Sequence, residues 1–315
     1  MISVNWDNKR IKGSNELPQG WVFFVFKKDD QALWCGYTPN LAQRLQVITN
    51  KAESDQQYAE MSESANILQY ESYPQAMDAL ILYKVFCHTQ HPTFQNVIRP
   101  CSDYVYLALD AYRFPFVSLR SDTNDDWLYS GPWRSRFFLV DVLDSLSRIL
   151  KIPFCETSSF PCDKLDNGVC RGYCLALDDS EPTPDDVDLT KLDALLREAY
   201  LHPNNGIWEM LKQEKVKYFN ELEFAKEDLI NDEMEILAEY RDWLEFLYAT
   251  KFISFATETI KVEKGLLIWC MLEGVEYSFP PLATQFRDNE KLALNLQDVD
   301  EARIIYDYHI KHHIG

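Results

Sequence analysis

The chain is poor in glycine, with 10 in 315 residues. It contains neither a Gly-rich phosphate loop nor a Gly-x-Ser-x-Gly elbow, which argues against P-loop and dinucleotide enzymes and against serine hydrolases of the elbow type. It is also poor in positive charge. Its 31 Lys and Arg face 50 Asp and Glu, a formal net charge of −19. Affinity for phosphates comes mainly from cations that release counterions, so a general nucleic-acid binder is excluded, and any DNA contact needs a local basic patch or a partner. Long apolar runs are missing as well. Runs such as Trp21–Phe26 fall far short of the roughly 20 residues a membrane-spanning helix needs. The start, MISVNWDNKR, is polar with no apolar core behind it and does not read as a secretory leader. A soluble, cytoplasmic protein without membrane contact is expected. In such a reducing compartment the eight cysteines point to metal ligands or buried thiols before disulfides.

What is present is enough to build sizeable cores. The apolar fraction is 46% and the aromatic fraction 14%, and the length allows two or three domains. Acidity is concentrated: residues 179–250 hold 19 acidic against 7 basic side chains, −12 of the total −19. That block reads as a solvated helix face, with a docking surface as the alternative.

Along the chain, residues 1–16 read as a polar, loose tail. Gly20–Phe26 reads as a buried strand and Ala32–Cys35 as a second short one ending at Gly36. Thr38-Pro39-Asn40 opens a helix through Leu41, Arg44 and Leu45, with Thr38 as cap and Pro39 in the first turn. Residues 50–64 read as a loop or mobile helix end. Ala76, Leu80, Tyr83 and Cys87 share one stripe of a helix from Pro74 to about Gln90. Strands are expected at 104–109 and 116–119, a turn at 129–132, and a helix at 135–150. Residues 178–190 read as a linker, 190–200 and 205–250 as two helices with the second broken once, and 252–279 as a β meander before a closing helix.

Cys155, Cys162, Cys170 and Cys174 fall within 20 residues in the pattern Cys-x6-Cys-x7-Cys-x3-Cys. Four thiolates this close can wrap one tetrahedral metal or a cubane cluster, and Asp166-Asn167-Gly168 supplies a turn between the middle pair. Spacing alone does not separate zinc from iron–sulfur. Cys35, Cys87, Cys101 and Cys270 read as structural.

Three stretches, in order, resemble the UvrC family of excinuclease proteins. Trp21-Val22-Phe23, Trp34-Cys35-Gly36, Asn40-Leu41 and Arg44 resemble the two strand motifs and following helix of a GIY-YIG nuclease domain. Tyr129-Ser130-Gly131-Pro132-Trp133 and Pro161-Cys162, Cys170 and Cys174 are similar to the family's glycine–proline turn and cysteine motif. The stretch from Glu233 to Leu244 resembles the UVR motif, a helical hairpin that docks the excinuclease's UvrB component. The resemblance covers about residues 17–250. It implies a [4Fe–4S] cluster on Cys155, Cys162, Cys170 and Cys174, with zinc as the alternative. It implies a UvrB-like excinuclease partner held through Met234, Leu237, Arg241 and Leu244, with DNA as a further candidate partner. Periodicity alone allows the same hairpin to pack within its own chain.

Position by position, the resemblance implies a degenerate nuclease. GIY-YIG chemistry needs an activated nucleophile, a divalent cation and a cationic group for developing charge. Phe23 stands at the first tyrosine position, Trp34 at the second, Tyr37 at the lysine, Tyr83 at the metal-binding glutamate and Gln95 at the late asparagine. Arg44 alone matches clearly. A neutral phenol is a poor ligand for magnesium, so no Mg²⁺ is expected at this site. Asp78, five residues before Tyr83, points about 140° away around the helix. The expected fold is α+β with a GIY-YIG-like domain at 17–100, a cysteine-rich segment at 101–178, a UVR-like hairpin at 179–250, and a small β-rich end at 251–315 resembling a truncated RNase H-like domain whose second nuclease is absent. The expected function is a catalytically inactive binding or scaffolding component related to nucleotide excision repair. The alternative is a metal-dependent DNA endonuclease with a rearranged centre.

Overall fold

A computed structural model describes the chain apart from residues 8, 9, 12–16, 154, 156–161, 178–186, 203, 204, 280–291 and 313–315. It is a mixed α+β structure of two compact units. One comprises Met1–Pro100, Phe252–Ala283 and Asp300–Gly315; the other comprises Cys101–Lys251 and Thr284–Val299.

The first unit opens with β1 (Ile2–Asp7), β2 (Arg10–Ile11), β3 (Gln19–Lys28), β4 (Gln31–Asn40), α1 (Leu41–Lys51), α2 (Gln56–Ser64), β5 (Ile67–Tyr73) and α3 (Ala76–Gln90). The strands form one antiparallel sheet in the order β2-β1-β5-β3-β4. Side chains alternate along a strand, and β3 is apolar on both sides because both faces of the sheet are covered. Val22, Phe24 and Phe26 pack with Trp34, Leu41, Ile48 and Met61. Phe23, Val25 and Cys35 pack on the other face with Leu82, Tyr83 and Phe86 of α3.

Three local expectations change. The tail expected at 1–16 contains β1, which pairs with β5 at Val4↔Leu68. Trp6 is buried there and donates its Nε1 proton to Ser62 O at 3.1 Å. Only alternate residues of β1 face the core, so its polar half dominated the reading. The cap of α1 is Asn40, whose side chain accepts from Gln43 N–H at 3.0 Å, while Thr38 and Pro39 belong to β4. Residues 56–64, expected as loop or mobile end, form α2, capped by Asp55.

The second unit contains β6 (Val105–Leu109), β7 (Val117–Arg120), β8 (Leu128–Trp133), α4 (Arg136–Leu150), α5 (Asp163–Asp166), a 3₁₀ turn at Tyr173–Leu177, α6 (Leu189–Leu201), α7 (Asn205–Asn220) and α8 (Phe224–Thr250). The stretch 129–132, expected as a turn, lies inside β8 and pairs with β6. Its end is fixed by aromatic packing. Trp133 stacks on Tyr240 with ring centroids 4.6 Å apart and planes 7° apart, and Trp243 Nε1 donates to Pro132 O at 3.2 Å. Tyr240 OH donates to Tyr200 O at 2.5 Å, tying α8 to α6. The expected break in the long helical stretch falls at Glu221–Glu223, where Leu222 adopts φ 57°.

The remaining elements are β9 (Phe255–Ala256), β10 (Ile260–Glu263), β11 (Leu266–Leu272), β12 (Val275–Ser278), β13 (Leu292–Ala293) and α9 (Val299–His312). The first four form the expected antiparallel meander, in the order β12-β11-β10-β9. They belong to the first unit, where Glu301 of α9 accepts from Lys84 Nζ at 2.6 Å and from Leu267 N–H at 2.8 Å. β13 instead pairs in parallel with β8 of the second unit. Residues 251–315, expected as one end domain, are thus divided between the two units. No described helix is long and apolar enough to cross a membrane.

Candidate functional site

The sheet of the first unit separates the residues that the sequence placed in one nuclease centre. On one face, Trp34 is fully buried against Phe24, Phe26 and Tyr58, with ring centroids 5.7, 6.2 and 6.2 Å away. Arg44, from α1, lays its guanidinium over the Trp34 ring at 5.8 Å. Its Nε and the Trp34 Nε1 are both buried without a hydrogen-bond partner. Among the described residues, no carboxylate makes an ion pair with Arg44.

Phe23, Tyr37 and Tyr83 lie on the opposite face. Strand parity decides this: Phe24, one residue beyond the expected position, shares a face with Phe26, Trp34 and Arg44. Phe23 instead packs on Phe86 at 5.4 Å, and Tyr37 packs on Tyr83 at 5.0 Å. The expected grouping of Phe23, Trp34 and Arg44 around one pocket therefore does not form.

The α3 face carries a polar cluster. Gln95 Nε2 donates to Tyr83 OH at 3.0 Å, and Gln95 Oε1 accepts from Cys35 N–H at 3.1 Å and from Cys35 Sγ at 3.4 Å. Cys35 Sγ and Cys87 Sγ are 3.4 Å apart. Burial holds the Tyr83 phenol well above its ordinary range, with the Cys87 sulfur adding to the rise, so its hydroxyl stays neutral. Burial likewise raises the Cys35 thiol. The Cys87 thiol moves down, chiefly through its hydrogen bond with Cys35, helped by Tyr83 and by the charge of Lys84.

Of the acidic groups near this face, Glu71 is engaged in an ion pair. Glu71, opposite Phe23 in the β3–β5 register, meets the N-terminal amine of Met1 at 3.3 Å. Burial, together with Glu71 and Asp78, pushes the Tyr73 hydroxyl up to about 12. Sequence periodicity placed Cys87 on the α3 stripe but gave no sign that it meets Cys35, because the contact joins residues 52 positions apart.

In the second unit, the four clustered cysteines are free thiols, each half-buried. Leu165 and Asp166 N–H groups return to Cys162 O at 3.0 and 3.1 Å, and Cys170 N–H returns to Lys164 O at 3.0 Å. Lys164 Nζ stands 3.3 Å from Cys155 Sγ, and Gly172 N–H donates to Cys170 Sγ at 3.3 Å. Burial raises Cys170 and Cys174, and Cys155 and Cys162 add to both rises through their own charge. Four free thiols are a suitable donor set for zinc or iron–sulfur. Among the described residues, no group of three or more His, Cys, Asp or Glu side chains stands as a metal-holding set.

The hairpin of α7 and α8 divides the expected partner-binding residues. Leu237 and Leu244 are buried within their own chain, and Met234 is half-buried. Arg241 is exposed, with its guanidinium 5.3 Å over Trp208. It borders a cleft of about 520 Å³ shared with His202, Asp242 and Tyr248. Apolar side chains that reach solvent include Met210 on α7 and Tyr248 on α8, and a group at or near the turn between the helices: Val216, Phe219, Leu222, Phe224 and Leu229.

The chain is similar to the UvrABC system protein C of several organisms. The protein from Vibrio vulnificus is 24% identical over 264 residues, 82% of this chain and 41% of that protein. The one from Petrotoga mobilis is 24% identical over 168 residues, 51% and 29% of the respective chains. The one from Methanococcus maripaludis is 21% identical over 230 residues, 71% and 42%. The chain therefore spans less than half the length of these curated relatives. No family model matches it, and no solved structure matches it.

Proposed function

We propose that this chain is a UvrC-like component of nucleotide excision repair that works by binding, its GIY-YIG-type centre having lost the means to cut. The observation that carries this reading is the environment of Tyr83. Where a phosphodiester-cleaving site of this type needs a carboxylate to hold its divalent cation, a buried neutral phenol is hydrogen-bonded to the Gln95 amide. Arg44, the group suited to a phosphate, lies across the sheet against Trp34. A cation-holding group and a charge-stabilising group must act on the same phosphate, and these two cannot.

The binding roles follow from the second unit. Cys155, Cys162, Cys170 and Cys174 would hold a [4Fe–4S] cluster, with zinc as the alternative. Such a group would cross-link the chain around α5 and the 3₁₀ turn and, if iron–sulfur, supply a one-electron couple. The α7–α8 hairpin would dock a UvrB-like protein through the apolar residues around its turn, since Leu237 and Leu244 are committed to the chain's own core. Burying such side chains against a partner groove is the helix-in-groove mode of recognition. DNA contact would depend on that partner, because the chain is acidic overall.

The test is direct. Protein purified anaerobically is incubated with nicked, bubble and branched DNA in Mg²⁺ or Mn²⁺, and in parallel with a UvrB-type protein. Complex formation without cleavage is expected, with iron and sulfide bound in wild type and lost in Cys170→Ser. Metal-dependent cleavage that Arg44→Ala abolishes would overturn the reading in favour of an active endonuclease.

A further inference from the structure

We infer that Cys35 and Cys87 form a dithiol oxidation site for small hydroperoxides, with Cys87 as the attacking sulfur and Cys35 as the resolving one. The inference stands on the geometry of the α3 face and does not use the proposed role in repair.

The two thiols differ in access. Cys87, on α3, is half-buried, whereas Cys35, on β4, is 1% exposed. An oxidant from solvent meets Cys87 first, and Cys35 waits 3.4 Å behind it. The surroundings favour charge on Cys87. A Cys87 thiolate would accept from the Cys35 S–H and the Tyr83 O–H, with the Lys84 ammonium adding a favourable field. The thiolate, not the thiol, is the nucleophile in such reactions. Tyr83 is itself held by Gln95, and Gln95 by the Cys35 backbone, so the Tyr83 donor is fixed before any oxidant arrives; the single Cys35 S–H, shared in the resting state with Gln95 Oε1, turns to Cys87 when that thiol ionises. Two thiols buried merely as small apolar groups would need none of these partners.

The chemistry balances in two steps. The Cys87 sulfur attacks one peroxide oxygen of ROOH; the O–O bond breaks, and the alkoxide leaves as ROH with the proton lost when Cys87 ionised. Cys87 is then a sulfenic acid. The Cys35 sulfur attacks it next; the S–S bond forms, the S–O bond breaks, and water leaves with the Cys35 proton. Two thiols have lost two electrons to one peroxide. Closing from 3.4 Å to a disulfide length of about 2.05 Å is small beside ordinary side-chain motion. The product would tie β4 to α3 across 52 residues, which restricts the unfolded chain and should raise the denaturation midpoint.

The experiment treats the reduced 315-residue chain with one equivalent of hydrogen peroxide or tert-butyl hydroperoxide, blocks free thiols, digests the protein and maps cross-links by mass spectrometry. The expected product joins the Cys35 and Cys87 peptides with the loss of two hydrogens, reverts with dithiothreitol, and accompanies a higher unfolding midpoint. In Cys35→Ser the sulfenic acid should persist on Cys87 and be trapped by dimedone. Wild-type Cys35 and Cys87 peptides that remain reduced while other cysteines oxidise would overturn the inference. So would a folded Cys35→Ser protein whose Cys87 gives no adduct. If Cys35→Ser does not fold, the wild-type map decides alone. Neither result bears on DNA cleavage or partner binding, so this inference and the proposed function fail separately.

Discussion

Single residues in the first unit show how much turns on strand parity. Phe23 and Phe24 are neighbours in sequence, yet they face opposite sides of a sheet whose two faces carry different chemistry. A one-residue choice in matching a motif therefore moves an aromatic ring from Arg44 to α3. Trp34 and Arg44 do share a face, because Asn40, and not the expected Thr38, caps α1 directly after β4 and sets the helix phase. The Cys35–Cys87 contact was not legible, since no local pattern predicts a meeting of strand and helix across 52 positions. The same contact makes a pH prediction. Cys87 titrates below an ordinary thiol, chiefly through its hydrogen bond with Cys35, while burial holds Cys35 well above. A lowered value means the reactive thiolate is present at lower pH. Pulse alkylation with iodoacetamide between about pH 6 and 10 should label Cys87 with a midpoint below the roughly 8.5 of a free cysteine. Cys35 should stay unlabelled through neutral pH. The labelled peptides, read by mass spectrometry, check both. In Cys35→Ala the Cys87 midpoint should rise, because its principal donor is gone.

At the scale of elements, the helical spacing of residues 233–244 was readable, but its destination was not. Period alone says that Leu237 and Leu244 share a stripe; it cannot say whether the stripe meets a partner or the chain itself. Packing answers this through residues distant in sequence: Trp133 stacks on Tyr240, and Arg148 pairs with Glu233 and Glu214. Leu237 and Leu244 are core, and exposed apolar side chains gather at the turn region. Two substitutions separate the roles. Leu237 is 2% exposed, so Leu237→Ala should cost about 2–5 kcal/mol in urea unfolding. Leu222 is 74% exposed with φ 57°. Leu222→Gly removes the steric cost of a left-handed residue and should leave stability unchanged or raise it by up to about 1 kcal/mol. If the turn docks a UvrB-type protein, the same change weakens that binding while the fold stays intact. Equal stability losses at the two positions would contradict this division.

At the scale of the whole molecule, the mixed α+β class, the central run of strands and helices, and the meander were all visible in local patterns. The partition of residues 251–315 was not. β13 is two residues long and gains its identity from pairing with β8, and α9 carries no signal of which sheet it will join. If residues 251–315 were an independent end domain, a chain stopped after Thr250 would unfold much like the parent. The observed partition predicts otherwise. The second unit would lose β13, leaving β8 without its parallel neighbour and Tyr106 OH without Leu294 O, its acceptor at 2.7 Å. The first unit would lose the buried Ala302 and Ile305, and Lys84 would lose both Glu301 and Leu267 O. Lys84 and Glu301 side chains are 17% and 14% exposed. Stranding one charge of a largely buried pair typically costs about 3–5 kcal/mol. Against a total stability of about 5–15 kcal/mol for a native protein, these losses fall on both units at once. The truncated chain should therefore lack a cooperative urea transition, with circular dichroism showing reduced structure before denaturant is added. A cooperative transition at the parent midpoint would show that the two units do not depend on this segment as their contacts indicate.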